Sequence, residues 1–242
     1  MCNEIKVNGI DIMHYSCVES TNDIALNISD PSDYLTVISD TQTGGRGRMD
    51  RKFFSYDGGL YMSICIPFEK INTPFNIITP AAALAVSEAL KHFGIKNIKI
   101  KWVNDLLIDN KKICGILTQA KSFNGKIDRV VVGIGINLTK PENDFPDEIK
   151  NRAGYADYKG DKLPLAAEIS NNLRNLLYLT HEKIVLKYKQ NMAYIGETMQ
   201  VTDYSDNNKK LIGKIMGIND DCFLRIMTED GDERIISSGE VI

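Results

Sequence analysis

Three arginines and three glycines crowd into residues 44–51, in the order Gly44-Gly45-Arg46-Gly47-Arg48-Met49-Asp50-Arg51. Glycine lets a backbone turn through positive φ and approach a ligand closely, and arginine presents a rigid fork of donors matched to carboxylate and phosphate oxygens. A segment of this composition can close over an anion. The same residues could form a solvated basic turn. They could also bind nucleic acid, but that calls for a broad basic surface with interleaved aromatics, and this 242-residue chain carries a formal net charge of -3. The cations are a local device.

Other polar clusters accompany the loop. Ser20-Thr21-Asn22 precedes the apolar Ile24, Ala25 and Leu26, where capping a helix uses one polar residue and leaves the others over. Lys101-Trp102-Val103-Asn104-Asp105 stands at a strand end, and Lys111-Lys112 at a hairpin tip leads to Gly115. Each cluster has a plain structural role. Their coincidence points to one site that combines neutral polar groups, cations and a carboxylate. The histidines His14, His92 and His181 and the cysteines Cys2, Cys17, Cys65, Cys114 and Cys222 are scattered, without the spacing of a metal motif or a disulfide framework.

The elements that must position these residues are legible in the hydrophobic pattern. Strands are expected over 34–39 and 60–66 on either side of the Gly/Arg loop, and a helix over 80–93 ending at Gly94. A strand over 98–103 follows, then a hairpin turning at 109–112. A second hairpin turns at Asn124-Gly125 into a strand over 130–137. Residues 138–163 read as an irregular surface connection. Pro164 opens a helix as its first residue, and a shorter helix covers 182–190. After Gly196, short alternating strands at 199–201, 211–215, 222–226 and 234–236 suggest a small β-barrel. The fold class is α+β: a mixed or antiparallel sheet with helices on one side in residues 1–192, and an all-β module in 193–242. Hydrophobic residues make up 43% and charged residues 25% of the chain, ordinary values for a soluble globular protein. No run approaches the roughly 18 apolar residues of a membrane span or a signal peptide's pattern, so a cytoplasmic protein with no membrane partner is expected.

Taken in order, Ser20-Thr21-Asn22, Gly45-Arg46-Gly47-Arg48-Met49-Asp50-Arg51, Lys101-Trp102-Val103-Asn104-Asp105, Lys112-Ile113-Cys114-Gly115-Ile116-Leu117 and Gly133-Ile134-Gly135-Ile136-Asn137 resemble the motifs of biotin protein ligases. The resemblance covers nearly the whole chain. It implies the catalytic fold shared with class II aminoacyl-tRNA synthetases, a C-terminal SH3-like barrel, and ATP-dependent attachment of biotin to a biotin carboxyl carrier domain through biotinyl-5′-AMP with Mg²⁺. It further implies that Lys112, Arg48 and Arg51 act in catalysis. Ser20, Thr21, Asn22, Gln42, Gly45, Arg46, Arg48, Lys112, Gly115 and Gly133 would bind biotin. Arg48, Arg51, Phe53, Trp102, Asn104, Lys112 and Asn137 would bind the nucleotide, and Asp105 the metal. The chain departs from the family pattern at Asp50, Val103 and Gln119, which replace a glycine, a proline and a glutamate. The few residues before Ser20 are too short for a helix-turn-helix, so no DNA binding is expected, and exposed sheet edges could pair two copies into a homodimer. The alternatives are a lipoate or octanoate ligase of the same fold and a non-catalytic nucleotide- or partner-binding module.

Overall fold

The computed structural model describes residues 2–29 and 33–242. Its main body is an eight-stranded sheet: β1 (Cys2–Val7), β2 (Ile10–Val18), β3 (Leu35–Gln42), β4 (Gly59–Pro67), β5 (Lys99–Lys101), β6 (Asp105–Ile108), β7 (Lys111–Phe123) and β8 (Lys126–Asn137), in the spatial order β1-β2-β3-β4-β8-β7-β6-β5. Only β2 and β3 run parallel, and between them in sequence lies the short helix α1 (Thr21–Asn27). The sheet is thus mixed, within the range expected.

Two faces of this sheet bury different partners. Ile12, Ile38, Met62, Ile64, Val132 and Ile134 pack on α2 (Phe75–His92) and α3 (Lys162–Leu177), and α4 (His181–Asn191) packs on α2. Alternate residues of the same strands, Val37, Cys65 and Val131, form a smaller cluster with Ala25 of α1 on the opposite face. This is the period-two division of a strand. The long helices share one side as expected, and α1 stands alone on the other, with its first turn at the strand ends where the polar clusters gather.

Several boundaries differ from the sequence reading, each for a local reason. Helix α2 begins at Phe75, not residue 80, so Pro80 lies inside it; its missing N–H forfeits one helical hydrogen bond, and the helix is held by burial, with Ile77, Ile78 and residues 81–86 all at most 1% exposed. Helix α3 starts before Pro164, because the Asp161 carboxylate accepts from the Leu163 N–H and caps it. The β6–β7 turn consists of Asp109 and Asn110 alone, both at positive φ, which is the two-residue hairpin geometry. Lys112 is consequently a strand residue and not a tip residue. A further hairpin, β1–β2, stands outside the expected elements and turns at Asn8-Gly9, with φ of 49° and 83°.

A five-stranded antiparallel sheet completes the chain: β9 (Thr198–Asp203), β10 (Lys209–Ile218), β11 (Leu224–Thr228), β12 (Glu233–Ile236) and β13 (Gly239–Val241), in the order β12-β11-β10-β9-β13. Strand β13 was not expected. It brings Gly239 and Glu240 to the edge of the larger sheet's site, where both are used.

Candidate active site

Two adjoining cavities lie at the ends of β3, β4, β7 and β8 under the Gly/Arg loop. The smaller is a slot of about 60 Å³ whose lining includes Ser20, Thr21, Asn22, Gln42, Gly115 and Gly133. The larger holds about 610 Å³ and presents Arg51, Lys101, Lys112 and Arg152 together with Phe54, Phe145 and Tyr204. Gly47, Arg48, Phe53, Asn104 and Lys112 line both. A slot of neutral polar and apolar groups edged by Arg46 therefore opens beside a cationic, aromatic chamber, with Lys112 and Arg48 at the junction.

The slot is built on α1. Ser20 caps the helix, its Oγ accepting from the Asp23 N–H at 3.3 Å, so Thr21 and Asn22 are left to turn inward, where they are 3% and 7% exposed. Gln42 Oε1 accepts from the Thr21 backbone N–H at 2.8 Å and from its hydroxyl at 3.1 Å, and Gln42 Nε2 donates to Ser55 Oγ at 3.2 Å. Asn22 Nδ2 donates to Gln119 Oε1 at 2.7 Å. The floor is glycine because nothing larger fits. A Cβ on Gly133 would overlap the Asn22 carboxamide, lying 2.7 Å from Cγ, and one on Gly135 would lie 2.5 Å from the Phe53 ring. Phe53 thus packs over Gly115 and Gly135 as the partition between slot and chamber.

At the junction, Lys112 Nζ lies 2.7 Å from Asp105 Oδ1. Asn104 Nδ2 donates to that same oxygen at 3.1 Å and also to the Ile116 carbonyl, which fixes the amide. Lys101 Nζ is 3.8 Å from Asp105 Oδ2 and donates to the Val241 carbonyl at 3.0 Å. Burial lowers the Lys101 pKa, against the opposing pull of Asp105 and Glu240. The main chain of Lys112 is clamped in addition: its N–H donates to Arg152 O at 2.7 Å, and its carbonyl accepts from Gly154 N at 2.8 Å. Asn137 supports the same segment by donating to Gly154 O at 2.8 Å, within the chamber wall.

The Gly/Arg loop folds back on itself. Phe53 N donates to Gly45 O at 2.9 Å and Gly47 N to Arg51 O at 2.7 Å, and Arg46 bridges to Lys52 across the base. Its arginines then diverge. Arg46 pairs with Asp23 of α1 at 2.8 Å. Arg48 donates to Asn104 Oδ1 at 3.0 Å and to Gly239 O at 3.1 Å. Arg51 pairs with Glu240 at 2.6 Å and donates to the Tyr204 hydroxyl at 3.2 Å. The lid is therefore latched onto the small β domain. Trp102, expected against the nucleotide, is 3% exposed and spends its indole N–H on the Cys222 carbonyl at 2.8 Å; it forms wall and joins the two sheets. Lys112 and Arg48 meet at one place, as expected. Arg51 faces the chamber with its charge already paired.

Glu240 and Tyr204 were missed, since a glutamate near a chain end and a tyrosine in a β turn carry no local signal. Burial pushes the Glu240 carboxyl up, but hydrogen bonds from Arg51 and Tyr204 and the nearby charge of Lys101 outweigh it and hold the pKa below the ordinary value of 4.5. A depressed carboxyl stabilises above its unfolded pKa and loses that contribution as pH falls through its folded value. The latch is thus complete above about pH 4.5 and opens at lower pH. Stopped-flow proteolysis of residues 46–51 should accelerate below that pH in the native chain, and Glu240→Gln should remove the dependence.

A polar slot beside a cationic chamber under an arginine lid is the arrangement of a ligase that activates a carboxylate with a nucleotide. Residues 15–137 match the biotin/lipoate A/B protein ligase family, and residues 194–242 match the biotin protein ligase C-terminal domain. The bifunctional ligase/repressor BirA of Bacillus subtilis is 33% identical over 96% of this chain and 74% of its own length. The biotin–[acetyl-CoA-carboxylase] ligase of Paracoccus denitrificans is 30% identical over 57% of this chain and 62% of its own. The biotin protein ligase of Aquifex aeolicus in complex with biotin and ATP superposes with a TM-score of 0.80 at 29% identity, covering 96% of this chain and 97% of that one. The chain belongs to the biotin/lipoate A/B protein ligase family, and within it to the biotin protein ligases.

Proposed function

We propose that this protein attaches biotin to a lysine of a biotin carboxyl carrier domain, through biotinyl-5′-AMP made from biotin and ATP. The observation that carries the reading is the shared wall: Lys112 and Arg48 line both the polar slot and the cationic chamber. A head group held in the slot directs its carboxylate toward that wall, and a nucleotide in the chamber brings its α-phosphate to the other side. Both reactants are anions, so fixed cations at the junction offset their repulsion and orient them for in-line attack. Ser20, Thr21, Asn22 and Gln42 suit the ureido group of biotin, while the backbones of Gly45, Arg46, Gly115 and Gly133 allow close approach. Slot walls rich in hydrogen-bonding groups fit a polar bicyclic head better than the linear chain of lipoate or octanoate.

In the second step a neutral lysine amine of the acceptor attacks the acyl carbon and AMP leaves. Arg51 and Lys101 face the polyphosphate side of the chamber, and the aromatic side chains provide surface for the base. Exchange of Arg51 from Glu240 to phosphate oxygens would couple nucleotide entry to the latch. Residues 1–192 then act as the catalytic unit and 193–242 as the domain that closes on the nucleotide. Among the described residues no group of three or more acidic, histidine or cysteine side chains clusters. Among the described residues Asp105 Oδ2 accepts no hydrogen bond, and Lys101 Nζ stands 3.8 Å away. That single carboxylate fits a Mg²⁺ ion that retains its waters and rides mainly on phosphate; Asp105 would hold it, and the ion would supply neutralising charge to the phosphates.

No helix is long and apolar enough to cross a membrane among the described residues, which supports a cytoplasmic setting. Residues 2–18 form two strands, and with the net charge of -3 this supports action on a carrier protein without DNA binding by these residues. The outer strand β1 offers an unpaired edge through which two copies could associate. Pyrophosphate release that requires biotin separates this enzyme from a nucleotide-binding module; release without biotin, or none, would overturn the proposal. The lid should also respond to its ligands. Biotin with MgATP is expected to slow tryptic cleavage at Arg46–Arg51 about tenfold or more, because closure shields a reactive adenylate from water, and equal cleavage with and without them would remove that role.

A further inference from the structure

Beneath the slot, and lining neither cavity, lies Ser63 of β4. It is 0% exposed, and its Oγ is 2.8 Å from Thr21 Oγ1 and 2.6 Å from Asn22 Oδ1. A serine hydroxyl has one proton to place between these two oxygens. Asn22 Oδ1 is a carbonyl and can only accept, and its amide nitrogen is committed to Gln119 Oε1 at 2.7 Å. The Ser63 proton must therefore serve Asn22, because the alternative sets two oxygens 2.6 Å apart with no hydrogen between them. Thr21 Oγ1 has its own proton on Gln42 Oε1 at 3.1 Å, so it too accepts from Ser63, whose single proton is shared between the two acceptors. Ser63 is thus the donor beneath the slot, while Thr21 passes its proton to Gln42 and Asn22 one to Gln119.

This order has a consequence inside the slot. With its proton on Gln42 and one lone pair taken by Ser63, Thr21 Oγ1 keeps a lone pair for the ligand, so it accepts an N–H. The second amide hydrogen of Asn22 and that of Gln42 Nε2 remain as donors. A ureido ring, with N–H groups flanking a carbonyl, complements that pattern. Gly133, the cross-strand neighbour of Ser63, keeps the space into which Asn22 must lean.

We propose that Ser63 is a positioning residue that sets the hydrogen-bond polarity of the slot and thereby selects a ureido head group. The proposal rests on the biotin reading above, and the same assay tests both. In biotin-dependent pyrophosphate release, Ser63→Ala is expected to raise KM for biotin on the order of 10-fold by leaving the buried Asn22 carbonyl without its donor. Desthiobiotin, which keeps the ureido ring, should lose equally. The turnover number at saturation and KM for ATP should stay within about twofold, the pattern of an interaction made alike in ground and transition states. A folded Ser63→Ala with unchanged biotin KM, or one whose turnover falls while KM holds, overturns the assignment. Should that variant fail to fold, Gln119→Leu at the partly exposed end of the chain decides instead: a raised biotin KM with unchanged ATP KM supports it, and an unchanged biotin KM refutes it. If the native protein releases no pyrophosphate in response to biotin, the biotin reading itself falls first.

Discussion

Replacing Lys112 with alanine is expected to cut the rate of adenylate formation about a thousandfold while changing biotin affinity less than tenfold. Unit charges 4 Å apart at an effective dielectric of 20 interact by about 4 kcal/mol, and about 1.4 kcal/mol corresponds to a factor of ten in rate. Full exercise of that interaction in the transition state, where carboxylate and phosphate oxygens crowd together, thus gives roughly three decades. In the ground state the carboxylate can keep water, because the Lys112 side chain is 37% exposed, and little binding is lost. Asp105 keeps Asn104 and Lys101 as partners, so the variant does not strand a buried charge. A single-turnover pyrophosphate burst with biotin titration checks the split; a burst of native rate would remove Lys112 from the chemistry. Lys112→Arg, which keeps the charge, should recover part of the rate.

Gly133→Ala should act on the other half of the site, weakening biotin binding about a hundredfold and leaving ATP affinity unchanged. The added methyl would overlap the Asn22 carboxamide, 2.7 Å from its Cγ. Asn22 cannot step aside, because Ser63 and Gln119 hold both ends of its amide and α1 is packed on the sheet through Ala25. Overpacking of such a site costs roughly 1–3 kcal/mol, the upper end of which corresponds to the expected loss. Gly115→Ala makes an informative contrast. Its methyl would meet Lys112 Cε and Nζ at 3.0 Å, the far end of a flexible side chain, and the Phe53 ring at 3.1 Å, so the cost should fall on adenylation rate more than on biotin affinity. Calorimetric titration of both variants with biotin distinguishes the two glycines. Native biotin affinity in Gly133→Ala would mean that Asn22 is freer than its hydrogen bonds imply.

What could be read from residues alone follows the range of the forces involved. The Asn124-Gly125 hairpin, the Ser20 cap and the Gly94 helix stop are local, and the chain displays them locally. The Asn8-Gly9 hairpin is equally local, but its strands alternate weakly, β1 being mostly exposed. The early start of α2 required tertiary burial to override Pro80, which no nearby residue announces. In the site, the segments that hold Lys112, Arg48, Asn104 and Asp105 stand out because glycine, arginine and paired charges are unusual together, while the roles expected of them come with the resemblance to biotin protein ligases. Ser63, Glu240 and Tyr204 do not stand out, since each acts only through partners 36 to 189 residues away. Trp102 drew attention as a large aromatic beside the motif, yet the carbonyl that claims its N–H lies 120 residues on, in the second sheet.

The central claim, that Lys112 and Arg48 join a slot for biotin to a chamber for ATP so that an acyl group reaches a lysine, is tested most directly by mass spectrometry. A biotin carboxyl carrier domain is incubated with this protein, MgATP, and equal concentrations of biotin and lipoate. One biotinyl group on a single lysine of the carrier domain, absent when ATP is withheld, is the predicted result. A lipoyl adduct, or an unmodified carrier domain, would contradict it.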